Sequence, residues 1–196
     1  MLDNILINRI VMKKAKTGKK DLRVIKTDRN IRESFLRLLR SKNFESITVQ
    51  NILDEALINR TTFYSHFSSK YELAEKIAED LLAKFDKALA IRFEAGEKNT
   101  DIYEQLDEIG RILKEDREAV LAVWMIHTET IHLYDDMSSH LEDRVSRILK
   151  DKDKFQTQLA ISILMTMLES ILRDDNVSAA ELHNEVIKFV REYLLN

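Results

Sequence analysis

The sequence predicts an all-α fold of about nine helices, and three observations favour it. The chain of 196 residues has no proline and only 3 glycines, so residues that break helices or that tight turns require are nearly absent. Hydrophobic residues make up 44% of the chain, which is enough to bury the core of one domain or of two small ones. Apolar residues also recur at helical spacing in successive segments.

The sequence also argues against several kinds of site and location. The chain has no cysteine, which excludes disulfides, thiolate chemistry and cysteine-ligated metals. The apolar runs at residues 119–126 and 159–172 are shorter than the roughly 18 residues of a membrane span. The first apolar residues precede the basic ones, which is the reverse of a secretory signal. We therefore expect a cytoplasmic protein that contacts no membrane, with Met1 or Met12 as its start.

Charge is divided unevenly along the chain. Residues 1–73 hold 15 Lys and Arg against 8 Asp and Glu, a net charge of +7, whereas residues 74–196 hold 16 against 26, a net charge of −10. A basic head on an acidic body indicates a polyanionic partner, such as nucleic acid, for the head. The alternative is a solvated basic tail, because much of the positive excess lies at residues 13–26.

The first domain is predicted to follow a flexible basic leader at residues 1–26. Helix 1 begins near Thr27 or Asp28, since either side chain can cap free backbone N–H groups, and its pattern ends at Ser41. Its apolar face comprises Ile31, Phe35, Leu38 and Leu39. The leader either reaches into the minor groove of DNA or stays in solvent.

Two short helices separated by a three-residue link come next. Helix 2 follows Thr48, a favourable N-cap, and its apolar face comprises Val49, Ile52, Leu53 and Ala56. The link covers residues 57–59, and Asn59 can cap helix 3. Phe63 and Phe67 are four residues apart, so they share the inner side of helix 3. This arrangement is typical of a helix-turn-helix unit.

In such a unit the second helix enters the major groove of DNA and the first helix braces it. The outer face of helix 3 must then carry short or forked hydrogen-bonding groups. Its polar residues are Asn59, Arg60, Thr61, Thr62, Tyr64, Ser65 and His66. Arg60 can pair with guanine, whereas Tyr64 and His66 suit phosphate. The alternative is a helical bundle whose outer face is merely polar.

A long helix 4 leads into the second domain, residues 74–196. Ser69 and Glu72 have the spacing of a capping box, and the helix is predicted to run to about Ala95, just before the turn at residues 96–99. Further helices are predicted at residues 101–115, 117–127, 128–150, 153–173 and 178–195.

Three short motifs of the first domain stand at fixed distances: Thr-Val at residues 48–49, Phe-Tyr-x-His-Phe at 63–67 and Ser-Lys-x-x-Leu at 69–73. Together they resemble the DNA-binding domain of the tetracycline-repressor (TetR/AcrR) family of transcriptional regulators, over about residues 27–73. The leader at residues 21–27 is similar to that of a subgroup related to dihydroxyacetone-operon regulators. The family usually has a glycine where this chain has Leu57, so a positive φ would be strained there.

The resemblance implies a double-stranded DNA operator as partner and a role for each matching residue. Residues that would hold phosphates are Thr48, Tyr64, His66 and Lys70. Residues that would face base edges are Arg60, Thr61 and Thr62, with Asn59 at the start of their helix.

The second domain of this family usually binds a small-molecule effector, whose identity the sequence leaves open. The predicted pocket residues are Phe85, Leu89, Tyr103, Leu106, Trp124, His127, Met137 and Leu168. Further candidates are Phe93, Leu113, Met125, Leu133 and Leu164. Trp124 and His127 stand out because their N–H groups need partners if they are buried. Aromatic residues and methionines at helical spacing also occur in ordinary cores. No cofactor is predicted.

The family usually dimerises through its last two helices, and the residues themselves favour this. Residues 155–172 are apolar around most of the helix, so the helix must be buried on more than one side. The predicted homodimer interface comprises Phe155, Leu159, Ile163, Met167, Ile171, Val186, Phe189, Val190 and Tyr193. Two helices from each chain would form a four-helix interface with two-fold symmetry. The alternative is that both helices belong to the core of one monomer.

The predicted function is a ligand-responsive repressor that binds a palindromic operator as a dimer. The alternative is an activator or co-regulator of the same fold, controlled by a protein partner or a metal ion. A zinc sensor could use His127, Glu129, His132 and His140, which are otherwise surface residues. An enzyme is not expected, because no phosphate loop or Ser, His and Asp order occurs, and no catalytic or metal-binding residue is assigned.

Overall fold

The computed structural model describes residues 22–93, 101–149 and 154–194. Throughout these ranges the regular elements are helices, without a strand, which confirms the all-α prediction. The helices are α1 at residues 22–39, α2 at Val49–Ala56, α3 at Arg60–Tyr64, α4 at Lys70–Phe93, α5 at Ile102–Glu115, α6 at Arg117–Trp124, α7 at Leu133–Ile148, α8 at Lys154–Arg173 and α9 at Ala179–Phe189. A 3₁₀ turn at Phe44–Ser46 follows α1, and a π-type segment at Val190–Leu194 follows α9.

The chain forms two compact units that divide between Leu73 and Ala74, inside α4. Unit 1 packs α1, α2 and α3 around side chains that are almost completely buried. These are Ile31, Phe35, Ile52, Phe63 and Phe67. Their spacing matches the apolar faces predicted for the three helices.

Helix α1 begins earlier than the sequence analysis predicted. Its first described residue is residue 22, so residues 22–26 of the predicted leader are helical, while the rest of that leader lies outside the described residues. The predicted cap is wrong because Thr27 is inside the helix, where its hydroxyl donates to the carbonyl of Arg23 at 2.9 Å. Threonine can form this bond to the preceding turn as readily as it can cap a helix.

Helix α2 begins at the predicted position through a complete capping box. The Thr48 hydroxyl accepts from the Asn51 N–H at 3.2 Å, and the Asn51 side chain accepts from the Thr48 N–H at 3.0 Å. At the start of α4 the Ser69 hydroxyl accepts from the Glu72 N–H at 3.1 Å, as predicted. The Glu72 carboxylate, however, accepts from the N–H of Ser68 at 2.6 Å, one residue before the expected partner.

Unit 2 contains the remaining helices, and α7 starts later than predicted. Residues 126–132 form a turn instead of helix, in which the Thr128 hydroxyl accepts from the N–H of Ile131 at 3.0 Å. The Thr128 N–H also donates to the Ile131 carbonyl at 3.1 Å. This local bonding competes with helix formation, so α6 ends at Trp124 and α7 begins at Leu133.

Helix α8 is long and apolar enough to cross a membrane by length and composition, with a mean hydropathy of 1.3 over 18 residues. The expectation that this segment is too short is therefore wrong. One such helix is weak evidence of a membrane span, because apolar helices that pack inside proteins pass the same test. Ile161, Met165, Leu168 and Leu172 of α8 are indeed buried in unit 2.

Candidate nucleic-acid interface and ligand cavity

Helix α3 is fixed at its start by a side-chain cap. The Asn59 side-chain oxygen accepts from the Thr62 N–H at 2.8 Å and from the Thr62 hydroxyl at 2.9 Å. Asn59 therefore has the capping role expected of it. Because its oxygen holds Thr62, this pair contributes to the rigidity of the helix that presents the polar face.

The two faces of α3 differ as a recognition helix requires. Phe63 is completely buried and Phe67, just beyond the helix, is nearly so. Arg60, Thr61 and Tyr64 are exposed. The Tyr64 ring meets the Phe63 ring edge to face, with centroids 5.4 Å apart. The hydrophobic core thus holds one side of the helix, and Arg60, Thr61 and Tyr64 on the other side are free of the core, as a recognition helix requires.

Leu57 forms the turn between α2 and α3 in a left-handed conformation, with φ 54° and ψ 43°. The N–H groups of Leu57 and Ile58 both donate to the Leu53 carbonyl, which satisfies the end of α2 as a glycine-type C-cap does. The Leu57 side chain is 90% exposed. Leu57 therefore adopts the positive φ that a glycine would, in a conformation that is strained for a leucine.

A groove of about 510 Å³ lies beside the turn and α3. It is lined by Arg23, Val24, Thr27, Leu57, Ile58, Asn59, Thr62 and His66. The His66 side chain is only 10% exposed, and its Nδ1 lies 3.7 Å from the Asp28 carboxylate of α1. His66 thus contributes to the wall of the groove and to the contact between α1 and the helix-turn-helix.

Lys70 is bonded inside unit 1, which differs from the phosphate contact that the resemblance implied. Its side chain is buried, and its ammonium donates to the carbonyls of Phe44, Glu45 and Ile47 at 2.8, 3.2 and 2.9 Å. The ammonium also lies 4.4 Å from the centroid of the Phe44 ring, within the range of a cation–π contact. An ammonium has three N–H donors, so the 3₁₀ turn occupies all of them and none is left for a phosphate.

A mostly apolar cavity of about 210 Å³ lies within unit 2, among α4, α5, α7, α8 and α9. Four predicted pocket residues line it: Phe85, Leu89, Leu106 and Leu168. The further candidates Phe93, Leu113 and Leu164 line it as well. The other lining residues were not predicted: Ala88, Arg92, Ile109, Leu141, Met167, Ile171, Ala179 and His183. Ala179 and His183 belong to the start of α9, which the sequence analysis assigned to the dimer interface alone.

The other predicted pocket residues lie elsewhere. Trp124 is buried, and its indole N–H donates to the sulfur of Met137 at 3.2 Å, so these two residues satisfy each other in the core. The Tyr103 hydroxyl donates to the Asn184 side chain at 3.1 Å in an exposed position. His127 is exposed beside the Met125 carbonyl at 3.4 Å. These residues do not line this cavity, and their part in a ligand pocket stays a prediction.

The predicted dimer residues of α8 and α9 divide by exposure. Phe155, Leu159 and Phe189 are exposed, to 70%, 46% and 55% of their surface. Ile163, Met167, Val186 and Val190 are half-buried, and the side chain of Tyr193 lies outside the described part. Ile171 is buried against Leu106 and Ala179, so little of its surface is open to a partner, and the interface as a whole stays a prediction.

The histidines of the alternative zinc sensor lie apart and have other neighbours. His140 Nδ1 lies 2.9 Å from an Asp86 oxygen, and His132 Nε2 lies 3.9 Å from an Asp136 oxygen. Across residues 22–93, 101–149 and 154–194, no group of three or more His, Cys, Asp or Glu residues is placed to hold a metal ion. These are separate contacts between a partly exposed histidine and one carboxylate each.

Comparison with known proteins identifies the helix-turn-helix segment. Residues 31–77 match the family described as bacterial regulatory proteins, tetR family. This range contains α2 and α3 and the start of α4. No curated protein matches the chain by sequence.

Solved structures share the fold over most of the chain. A TetR transcriptional regulator from Streptococcus agalactiae has a TM-score of 0.61 at 23% identity, over 89% of this chain and 98% of that one. A transcriptional regulator from Aquifex aeolicus has a TM-score of 0.54 at 18% identity, over 84% and 98%. A gamma-butyrolactone receptor, an ArpA-like protein, has a TM-score of 0.51 at 18% identity, over 78% and 83%. The chain therefore has the fold of TetR-family DNA-binding transcriptional regulators, and its residues 31–77 match the sequence pattern of that family.

Proposed function

We propose that this protein is a cytoplasmic, ligand-responsive repressor that binds a palindromic operator as a homodimer. The observation that supports it most directly is the two-sided α3, with Phe63 buried and Arg60, Thr61 and Tyr64 exposed beside it. Arginine can bind guanine with two hydrogen bonds and threonine can contact the thymine methyl. Tyr64 and the hydroxyl of Thr48 are suited to phosphates.

Repression that responds to a ligand needs a second site coupled to the first. The cavity of unit 2 supports a small-molecule effector over control by a protein partner or a metal ion. A dimer would present two recognition helices about 34–36 Å apart, or a multiple of that distance. An effector that favours another spacing lowers operator affinity by the coupling free energy, typically about 1–3 kcal/mol. The gamma-butyrolactone receptor is a protein of this fold whose name states a small-molecule ligand. The sequence of the leader at residues 21–27 further supports placing the protein in the subgroup related to dihydroxyacetone-operon regulators.

Selection of binding sites from random duplex DNA tests the operator proposal. We expect the purified protein to enrich an inverted repeat, with an affinity that falls steeply as salt rises because several phosphates are contacted. Arg60→Ala should weaken binding by about 1–3 kcal/mol and relax the preference at one position of each half-site. Tyr64→Ala should weaken binding to all sequences alike.

Arg111→Ala is the matched control for this test. Arg111 is exposed on α5 and paired with Glu108 and Glu115, so its loss removes the same charge from unit 2. We expect operator affinity to stay within about twofold, because the charge lies outside the proposed interface. If no sequence is enriched, or if Arg60→Ala behaves as the control does, α3 is not a DNA reader.

A further inference from the structure

The cavity of unit 2 combines apolar walls with two cationic or hydrogen-bond-donating side chains. Of the described residues that line it, Arg92 and His183 are polar, and the others are hydrocarbon or thioether side chains. Within that described lining there is also no Asp or Glu. A ligand that replaces water here must itself be mostly apolar, since polar groups against this wall would lack partners.

The two polar residues favour a ligand with an acceptor at one end. A guanidinium has five N–H donors and no acceptor. The imidazole of His183 offers at least one N–H in its neutral form. Carboxylate matches the guanidinium with two parallel hydrogen bonds. A hydroxyl, in contrast, carries no charge and has only one oxygen, so it cannot form this pair of parallel bonds.

The lining residues differ in exposure. Arg92 is exposed and His183 is half-buried, whereas Phe85, Leu106 and Leu168 are buried. The Arg92 guanidinium carbon lies 5.6 Å from the centroid of the Phe93 ring, within the range of a cation–π contact, and Phe93 also lines the cavity. One exposed cation therefore shares the lining with buried apolar side chains.

We propose that this cavity binds a single-chain carboxylate, with the hydrocarbon chain among the apolar walls and the carboxylate on Arg92 and His183. The inference rests on the proposed function, since it names the chemical class of the effector. The cavity has a volume of about 210 Å³, which is well above the roughly 10–15 Å³ that a single water needs by this measure. Octanoate is therefore used as a probe of medium chain length.

Isothermal titration calorimetry on the full chain tests the proposal with octanoate, hexanoate and 1-octanol. We expect octanoate to bind with one site per chain. Hexanoate lacks two methylene groups and should bind about fifteenfold more weakly, at roughly fourfold per methylene. 1-Octanol has the same chain and lacks the charge, so it should bind about tenfold more weakly than octanoate.

Two variants distinguish the effect of the Arg92 charge on octanoate binding from the effect of removing any positive charge of α4. Arg92→Gln should weaken octanoate about tenfold and leave 1-octanol unchanged. Lys87→Gln removes the same charge from an exposed position of α4 outside the cavity lining, and it should change neither ligand. The proposal is overturned if octanoate does not bind, if 1-octanol binds as well as octanoate, or if Arg92→Gln and Lys87→Gln behave alike.

Operator binding measured separately distinguishes the two proposals. If octanoate binds but operator affinity does not change, the carboxylate site is supported and the repressor is not controlled through it. If the protein selects an operator but octanoate does not bind, operator recognition is supported and the carboxylate site is overturned. If octanoate binds to Arg60→Ala as tightly as to the unaltered chain, the cavity of that variant is intact. Loss of DNA binding in Arg60→Ala then has a cause other than a damaged cavity, and the carboxylate site is supported.

Discussion

The ammonium group of Lys70 closes the 3₁₀ turn of unit 1 by donating to three of its carbonyls. A buried carbonyl without a donor costs about 1–3 kcal/mol. We therefore expect Lys70→Met, which keeps the length of the side chain, to lower the free energy of unfolding by about 2–4 kcal/mol. Urea unfolding followed by circular dichroism measures this change.

Lys42→Met is the control for Lys70→Met. Lys42 is exposed near the same 3₁₀ turn, so its replacement should change stability by less than about 0.5 kcal/mol. A phosphate contact by Lys70 would give the opposite pattern, with unchanged stability and weaker operator binding. That result would restore the role implied by the resemblance.

Residue roles could be predicted from the sequence where they depend on neighbours along the chain. The caps at Thr48 and Asn59 bond groups three residues away. The left-handed Leu57 was indicated instead by the family resemblance, in which a glycine usually stands at this position. Lys70 is different because its partners lie 23 to 26 residues away. Nothing in the local pattern shows that three carbonyls converge on it.

Helix α5 contains a glycine that its surroundings do not require. Gly110 is buried in the middle of α5, and a Cβ added to it would lie 3.5 Å from the Cβ of Ala179, an ordinary van der Waals distance. We expect Gly110→Ala to raise the free energy of unfolding by about 0.5–1 kcal/mol, because alanine restricts the unfolded chain and suits a helix. Thermal unfolding at several protein concentrations measures the change.

Gly110→Val is the matched comparison at the same position. Its two additional methyl groups must displace α9 or strain the helix, which costs about 1–3 kcal/mol. If Gly110→Ala destabilises the protein as much as Gly110→Val does, the contact between α5 and Ala179 leaves no room for a methyl group.

On the outer face of α5 the acidic residue Glu108 is paired with Arg111 of the same helix. Hydrogen bonds from Arg111 hold the pKa of the Glu108 carboxyl below its ordinary value. The folded helix therefore favours the carboxylate form. This contribution to stability is present at neutral pH and is lost as pH falls through the lowered pKa. Both side chains are well exposed, so the pair contributes little.

Helix positions were predictable where apolar spacing and a capping residue agree, as at Thr48 before α2. The start of α7 could not be predicted in this way, because residues 128–132 contain no glycine or proline to mark the turn. There the hydroxyl of Thr128 bonds two following N–H groups. A threonine in a helix and a threonine that ends one look alike in the sequence.

For the whole molecule, the exposed apolar residues of α8 and α9 carry the prediction of a dimer. Leu159→Glu places a charge in the proposed interface, where desolvation is costly. We expect the variant to be monomeric by sedimentation equilibrium at concentrations where the unaltered chain is dimeric. Its helix content should be unchanged, because Leu159 is already 46% exposed.

Ser146→Glu provides the control for Leu159→Glu, since Ser146 is exposed on α7 and lies outside the predicted interface. It should leave the dimer intact. A Leu159→Glu variant that remains dimeric would show that other surfaces form the interface, or that α8 covers its exposed residues in some other way.

The cavity could be predicted only in part, because its lining comes from five helices that are distant in sequence. Phe85, Leu89, Leu106 and Leu168 follow from apolar faces that must point inward. Arg92 and His183 could not be predicted from the pattern, since a charged residue near the end of α4 and a histidine in α9 are usual on a helix surface. Only the packing of unit 2 brings them to one cavity.

Because Trp124 lies in the core of unit 2, its fluorescence can be used to follow the unfolding of that unit. Trp124 is the only tryptophan of the chain, it is 7% exposed, and its ring meets Tyr134 edge to face with centroids 5.2 Å apart. Indole emission therefore reports on unit 2 alone, whereas far-ultraviolet circular dichroism reports on the helices of both units. If the unfolding curves from the two signals coincide, the chain unfolds in a single cooperative transition. If the curves differ, they show which of the two units unfolds first.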